Sequence, residues 1–297
     1  PMFTLMIAFG DIFGLGGSSA ISRLLGEKKD NEAKKTCAFC IWISLVFGLC
    51  ISAILLLFRT QILGLLGVGK DTYQYANAYY TWIAIGAVSI IFSMVPSNIL
   101  RTEGLAVQSM AGSIIGSIVN IIFDPIFIFG LNQGAAGAAM ATVLGNIIAD
   151  IYYVYAVVKK SKRLTCSPSH MKVTGRRIRD ILMIGIPASI TNIMQTFMMV
   201  MTNNFLLTYG TDKVAAMGIA LKVNMITALV LVGFAFGGQP LVGYNYGAKN
   251  EKRLKNILKF AYLFEMGLGL LFTILMCIFA PQIIKVFMDK PDIITNG

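Results

Sequence analysis

The chain alternates between long apolar runs and short polar segments. Each apolar run holds about 20 residues or more, the length that an α-helix needs to cross a hydrocarbon layer ~30 Å thick. No run alternates apolar and polar residues as membrane barrel strands do. The pattern predicts an all-α polytopic helical bundle with eight membrane spans, at about 1–24, 36–58, 73–96, 106–130, 134–158, 181–208, 214–243 and 257–280.

The composition favours a membrane protein. Hydrophobic residues fill 56% of the 297 positions and charged residues only 13%, whereas soluble chains carry about 25% charged residues. A soluble core could not hide several apolar runs of this length. We therefore expect a multi-pass protein of the cell membrane, with the lipid bilayer as a partner.

Basic residues concentrate in alternate loops. The loops after spans one, three, five and seven hold nineteen of the 25 Lys and Arg residues, and the opposite loops hold five. Because basic loops stay on the cytoplasmic side, these four loops are predicted to be cytoplasmic, and the first span runs inward. The net charge of +11 lies in these loops without a recognition motif, so no nucleic-acid partner is expected.

Few residues suit metal or covalent chemistry. The five cysteines lie mostly in apolar segments, and their odd number gives no disulfide framework. Cys37 and Cys40 are interpreted as packing residues. The single histidine, His170, lies in a basic loop, so we expect no zinc site, no His-based active site and no cofactor.

An internal repeat relates the start of the chain to its end at a shift of 221 residues. Matching pairs include Gly16/Gly237, Gly17/Gly238, Gly26/Gly247, Phe39/Phe260, Gly48/Gly269 and Asp71/Asp292. Six spans separate the copies, so both enter the membrane in the same direction, and the halves are related by an axis along the membrane normal. We expect a twelve-helix parent of two parallel six-helix repeats, truncated here at both ends.

The repeat also predicts the domain organisation. An amino-terminal bundle without its first helix would occupy 1–160. A basic cytoplasmic linker would follow at 161–180. The first three helices of a carboxy-terminal bundle would fill 181–297.

Paired glycines recur at the same position of both copies. Gly16 and Gly17 in span one correspond to Gly237 and Gly238 in span seven. Glycine lets helices approach closely and lets a span bend. Static packing and a hinge role both remain open for these residues.

The sharpest polar feature is Asn120 with Asp124, four residues apart in span four and followed at once by Pro125. An intramembrane carboxylate is costly, so it usually faces a cavity, a cation or a partner. Pro125 locally loosens the helix, and Thr142 in the next span could add a hydroxyl. These oxygens suit Na⁺, and the carboxylate alone suits a proton; a structural hydrogen bond at a helix end is the alternative.

Span six combines polar and methionine side chains that could line a cavity, with plain helix packing as the alternative. The candidates are Asn192, Gln195, Met198 and Met199. The other intramembrane ionisable residues are expected to be structural, and two of them, Asp150 and Lys222, lie near enough to span ends to reach them. They are Asp11, Asp150, Lys222 and Glu265.

The repeat, the glycine segments and the Asn120, Asp124 and Pro125 stretch resemble the MATE family, the multidrug and toxic compound extrusion transporters. The likeness covers the whole chain, as the family's helices two to nine. It implies twelve helices around a central cavity open alternately to each side, and export of cationic or amphipathic compounds in exchange for Na⁺ or H⁺.

The resemblance also implies site residues. In several members an Asn and an Asp four apart, with a Thr on the next helix, hold the coupling ion; Asn120, Asp124 and Thr142 match them in type and spacing. A further Asp lies on a family helix that precedes this chain. Gln195 stands where some members have a Glu, and a carboxamide cannot balance charge, so coupling is expected in the first bundle.

Two alternatives follow from other readings of the spans. A flippase or exporter of lipid-linked or polysaccharide precursors would favour a cavity rich in Arg and Lys, and only Lys222 qualifies within the spans. An intramembrane enzyme would need clustered nucleophiles at membrane depth, and none is apparent. We therefore expect a transporter, not an enzyme, acting as a monomer.

Overall fold

The computed structural model describes residues 2–65, 72–207 and 211–287. Within these ranges it contains nine α-helices and no strand. A π-helical segment, Ile126–Gly130, follows the fifth helix, and a short 3₁₀ turn, Pro168–His170, precedes the seventh. The helices are α1 (Met2–Gly26), α2 (Asp30–Leu57), α3 (Arg59–Leu65), α4 (Tyr73–Thr102), α5 (Ala106–Pro125), α6 (Gly134–Lys159), α7 (Gly175–Leu207), α8 (Thr211–Gly247) and α9 (Glu251–Phe287).

The predicted all-α membrane fold is confirmed, because a long helix covers each of the eight predicted spans. Seven of these helices, within the described residues, are long and apolar enough to cross a membrane. The eighth, α7, has 33 residues, but it begins with basic side chains, and polar residues interrupt its second half. The chain is thus a multi-pass membrane protein.

The chain divides into two compact units, residues 1–193 and 194–297, and the division falls inside α7. In the first unit α4 is the central helix, in contact with α1, α2, α5 and α6. Its buried side chains include Ile83, Ile90, Val95 and Ile99. The domain boundaries expected from the sequence stay a prediction.

Glycines let the helices of the first unit approach one another. A Cβ at Gly16 would overlap the backbone of Ile181 in α7, and one at Gly185 would overlap that of Ile12 in α1. A Cβ at Gly17 would lie 2.7 Å from Cys40 Sγ of α2. The first glycine pair therefore lies at tight helix contacts, as expected for packing in membranes.

The second glycine pair has a different environment. A Cβ added at Gly237 or Gly238 would have no heavy atom of the described residues within 4 Å. In this unit α8 packs on α9, where the Phe234 and Phe264 rings stack 4.5 Å apart. Neither packing nor bending is tested for the second pair, so its role stays a prediction.

The loop between α6 and α7 is tied to the first unit at two points. The Glu103 carboxylate accepts hydrogen bonds from the backbone N–H groups of Lys162 and Arg163, each at 2.8 Å, and from the Ser161 hydroxyl. Trp42 Nε1 donates to the Cys166 carbonyl at 2.9 Å. Burial raises the pKa of the Cys166 thiol to about 11, so this thiol stays protonated at neutral pH.

Candidate functional site

The seam between α5 and α6 brings two predicted site residues together. A Cβ at Gly145 would lie 2.6 Å from the Gly116 carbonyl oxygen, so the two backbones meet where neither residue has a side chain. One turn further along α5, Asn120 Nδ2 donates to Thr142 Oγ1 at 3.3 Å. The Thr142 hydroxyl donates in turn to the Ala138 carbonyl. The glycine contact therefore sets the distance of the polar pair.

A cavity of about 370 Å³ opens beside this pair, between α4, α5 and α6, and Phe3 of α1 also lines it. Hydroxyl and amide groups dominate its polar lining. They belong to Ser93, Ser113, Ser117, Asn120, Thr142, Asn146 and Tyr153. Neutral oxygen atoms of this kind can solvate a small cation or water inside a membrane domain.

Asp124 lies one turn after Asn120, where α5 ends. Its Oδ1 is buried, and no hydrogen-bond partner for this atom exists among the described residues. Pro125 has no N–H to donate, and the chain continues into the π-helical segment, where Leu131 N donates to the Ile126 carbonyl. Such π-helical turns are frequent at functional sites. No hydrogen bond in the described part joins Asp124 to Asn120 or Thr142.

The candidate site therefore consists of one carboxylate and neutral oxygen atoms. Among the described residues, no three His, Cys, Asp or Glu side chains come together. Carboxylate, amide and hydroxyl oxygens suit hard cations rather than transition metals. The unpaired carboxylate oxygen of Asp124 fits a site of this chemistry, with Asn120 and Thr142 as the neighbouring polar groups.

A network of hydrogen bonds continues from the cavity at Tyr153. The sequence analysis did not predict this network. The Tyr153 hydroxyl lies 2.8 Å from Ser113 Oγ and also donates to the Ser109 carbonyl at 3.3 Å. Ser109 Oγ accepts from Arg101 Nε at 3.1 Å and donates to the Ser97 carbonyl. The spacing of Ser109, Ser113 and Ser117, four residues apart along an apolar helix, is the signal that could have predicted it.

The sequence spacing indicated no partner for Asp11 or Asp150, but in the structure each carboxylate accepts a hydrogen bond. Asn192 Nδ2 of α7 donates to Asp11 Oδ2 of α1 at 2.8 Å. The Ser89 hydroxyl of α4 donates to Asp150 Oδ2 of α6 at 2.5 Å. Asp150 thus lies inside the bundle, rather than reaching the end of its span as expected.

Of the predicted cavity residues of α7, Asn192 belongs to the first unit, and it does not line the cavity of that unit. Asn192 contacts Asp11, and the Gln195 and Met198 side chains are exposed. The side chain of Met199 and that of Lys222 lie outside the described part of the structure. A cavity-lining role for Asn192, Gln195, Met198 and Met199 stays a prediction.

Sequence comparisons relate this chain to known transport proteins. The family model MatE matches residues 1–126 and 187–297. The multidrug export protein MepA of Staphylococcus haemolyticus is 32% identical over 99% of the chain, and MepA of Staphylococcus aureus is 30% identical over 93%. The chain spans about 65% and 60% of the length of these two relatives.

Comparison with solved structures also relates this chain to transporters. A crystal structure of MATE in the bent conformation matches with a TM-score of 0.92 and 28% sequence identity. The match covers 99% of this chain and 66% of the MATE chain. A MOP superfamily transporter from Pyrococcus furiosus, described as having a binding pocket of reverse polarity that suggests a different function, has a TM-score of 0.92 and 27% identity. This match covers 100% of this chain and 66% of the chain of the Pyrococcus furiosus transporter.

Proposed function

The chain belongs to the MATE family of membrane transporters, and from this membership we propose that the complete protein exports cationic or amphipathic compounds in exchange for Na⁺ or H⁺. Export would proceed by alternating access rather than by covalent catalysis. The multidrug export proteins among its relatives support the substrate class. Because the chain spans about 65% of the first relative, this activity is a proposal about the whole protein.

The observation that carries the ion-coupling proposal is the buried, unpaired Oδ1 of Asp124. A buried polar atom without a partner is costly, and a cation or a proton would supply one. Asn120 and Thr142, joined at 3.3 Å one turn away, would add the amide and hydroxyl oxygens that Na⁺ prefers. We assign the coupling ion to these three residues of the first unit.

Coupling requires that ion and substrate prefer different conformations. A ligand that binds two states equally shifts nothing between them, however tightly it binds. Asp124 can meet this requirement because Pro125 and the π-helical segment follow it directly, and a change in this irregular backbone would alter the ion site. The substrate would bind elsewhere, with the methionines and amides of α7 as candidates.

We also propose where and how the protein acts: in the cell membrane, as a monomer, with the basic loops on the cytoplasmic side. The anchored loop between α6 and α7 is one of these basic segments. Fusing a reporter enzyme to each loop of the complete protein would measure the orientation.

The test measures efflux of a fluorescent lipophilic cation from pump-deficient cells that express the complete reading frame. We expect the wild type to export the dye and Asp124→Asn to abolish export, because an amide cannot bind a proton or balance a cation. Asp180→Asn is the matched control: Asp180 makes a partly exposed ion pair with Arg177 at 3.4 Å, and such pairs contribute little. Membrane abundance of each variant is measured in parallel.

Each outcome decides one part of the proposal. Export that survives Asp124→Asn removes the coupling assignment and leaves drug export standing. A wild type that exports no dye rejects the substrate class. The flippase alternative would then be tested next, with lipid-linked precursors as substrates.

A further inference from the structure

A second buried carboxylate lies between α4 and α6, apart from the candidate ion site. Asp150 Oδ2 accepts a hydrogen bond from Ser89 Oγ at 2.5 Å. Asp150 Oδ1 is buried, and no hydrogen-bond partner for it exists among the described residues. Asp150 is eight residues beyond Thr142, which separates the two positions by about 12 Å along α6.

Within the described ranges, no charged group faces this carboxylate from the helices packed around it. On α4, Arg101 lies twelve residues, or about 18 Å, beyond Ser89 and donates to Ser109. The tyrosines of α4 lie in its first turns, at 73, 75, 79 and 80, and the last of these donates to the Leu55 carbonyl.

The other two helices add no compensating charge. The only ionisable side chain of α5 is Asp124, directly before Pro125 at the end of that helix. On α6 itself the ionisable groups are Tyr152, Tyr153, Tyr155 and Lys159 at its end. The described residues give Asp150 no ion pair.

The cavity lies next to Asp150, because the neighbouring Ala149 lines it. Asn146, one turn before it, and Tyr153, one turn after it, both line the cavity. On the facing helix, Ser93 lines the cavity one turn after Ser89. Polar groups therefore flank the carboxyl along both helices.

A buried carboxylate with one hydroxyl donor and no cation is poorly compensated, whereas the neutral acid carries no charge to desolvate. We propose that Asp150 is a proton-binding site of the first unit, separate from Asp124, and that its Oδ1 carries the proton while Oδ2 accepts from Ser89. This inference does not depend on the transported substrate. Its test reads the carboxyl group directly.

The experiment is infrared spectroscopy of the complete purified protein in lipid nanodiscs at neutral pH. A protonated carboxyl gives a C=O stretching band that an ionised carboxylate lacks. We expect one such band to be lost in Asp150→Asn and to persist in Asp11→Asn and Asp124→Asn. Persistence of every carboxyl band in folded Asp150→Asn would overturn the proposal, as would loss of the same band in Asp11→Asn.

A second variant keeps the test valid if Asp150→Asn does not fold. Ser89→Ala removes the donor to Oδ2, so the C=O band of Asp150 should move to higher frequency while its intensity stays. Ser117→Ala is the matched control, because its hydroxyl lines the cavity but donates to its own helix at Ser113. An unchanged band in Ser89→Ala would contradict the assignment.

Discussion

At the scale of single residues, the Tyr153 hydroxyl joins α6 to α5. It contacts Ser113 Oγ and the Ser109 carbonyl, while its ring occupies the space that a side chain at Gly112 would need. The ring supplies packing, and the hydroxyl supplies a polar link between the two helices. These two contributions can be separated by mutation.

We expect Tyr153→Phe to lower the free energy of unfolding by about 1 kcal/mol, because the ring stays and the hydrogen bonds are lost. The measurement is thermal unfolding of the complete protein in detergent. Tyr155→Phe is the control, since Tyr155 is half-exposed on the same helix. Equal stability of Tyr153→Phe and the wild type would show that the hydroxyl does not stabilise the seam.

The spacing of residues in the sequence predicts only some of the contacts between side chains. Asn120 and Asp124 share a face because they are four apart on one helix, and Thr142 follows on the next span. The contact of Asn120 with Thr142 could thus be predicted, whereas the ion site of all three residues stays a prediction. Asp11 and Asn192 are 181 residues apart, and no local pattern relates them. Their contact depends on Gly16 and Gly185, which let α1 and α7 meet.

At the scale of helices, the α5–α6 seam depends on Gly116 and Gly145. The neighbour of a Cβ at Gly145 would be a backbone carbonyl, which cannot rotate away as a side chain can. The same contact holds Asn120 against Thr142. Packing and the proposed ion site are therefore linked at one position.

We expect Gly145→Ala to destabilise the protein by about 1–3 kcal/mol through overpacking and to weaken dye efflux by separating Asn120 from Thr142. Unfolding and efflux are measured together. Gly64→Ala is the control, because a Cβ at Gly64 in α3 has no neighbour among the described residues within 4 Å. A Gly145→Ala variant with full efflux would show that the close approach is not needed for transport.

Helices are predictable from the sequence when length and apolar content agree. All eight spans can be placed in this way, whereas α3 and the π-helical segment cannot. Seven residues are too few to show a helical period, and the π-helical segment has no repeating pattern of its own. Pro125 marks only where the regular helix must change.

At the scale of the whole molecule, the loop after α6 belongs structurally to the first unit. The Glu103 carboxylate accepts hydrogen bonds from two backbone N–H groups and one hydroxyl of residues 161–163. Hydrogen bonds to a charged acceptor are stronger than neutral ones. The sequence shows this segment only as a basic linker, because Glu103 is about 60 residues away.

We expect Glu103→Ala to release this loop and to increase tryptic cleavage after Lys162 and Arg163 by about 10- to 150-fold, since the lost hydrogen bonds contribute about 1.5–3 kcal/mol. Limited proteolysis followed by mass spectrometry measures the cleavage rate. Glu27→Ala is the control, because Glu27 pairs with Lys29 at the surface. Equal cleavage of the Glu103 variant and the wild type would contradict the anchoring role.

The anchored loop also determines where the polypeptide tolerates a cut. On one side Glu103 and Trp42 hold residues 161–166, and on the other side Ile181 and Gly185 of α7 pack on α1. Residues 171–174 lie between these two contacts, and Lys172 and Thr174 among them are exposed. We expect folding to need an unbroken chain least at this point, as in other surface loops. Two co-expressed pieces divided there should reassemble, and the same position suits an inserted fluorescent domain.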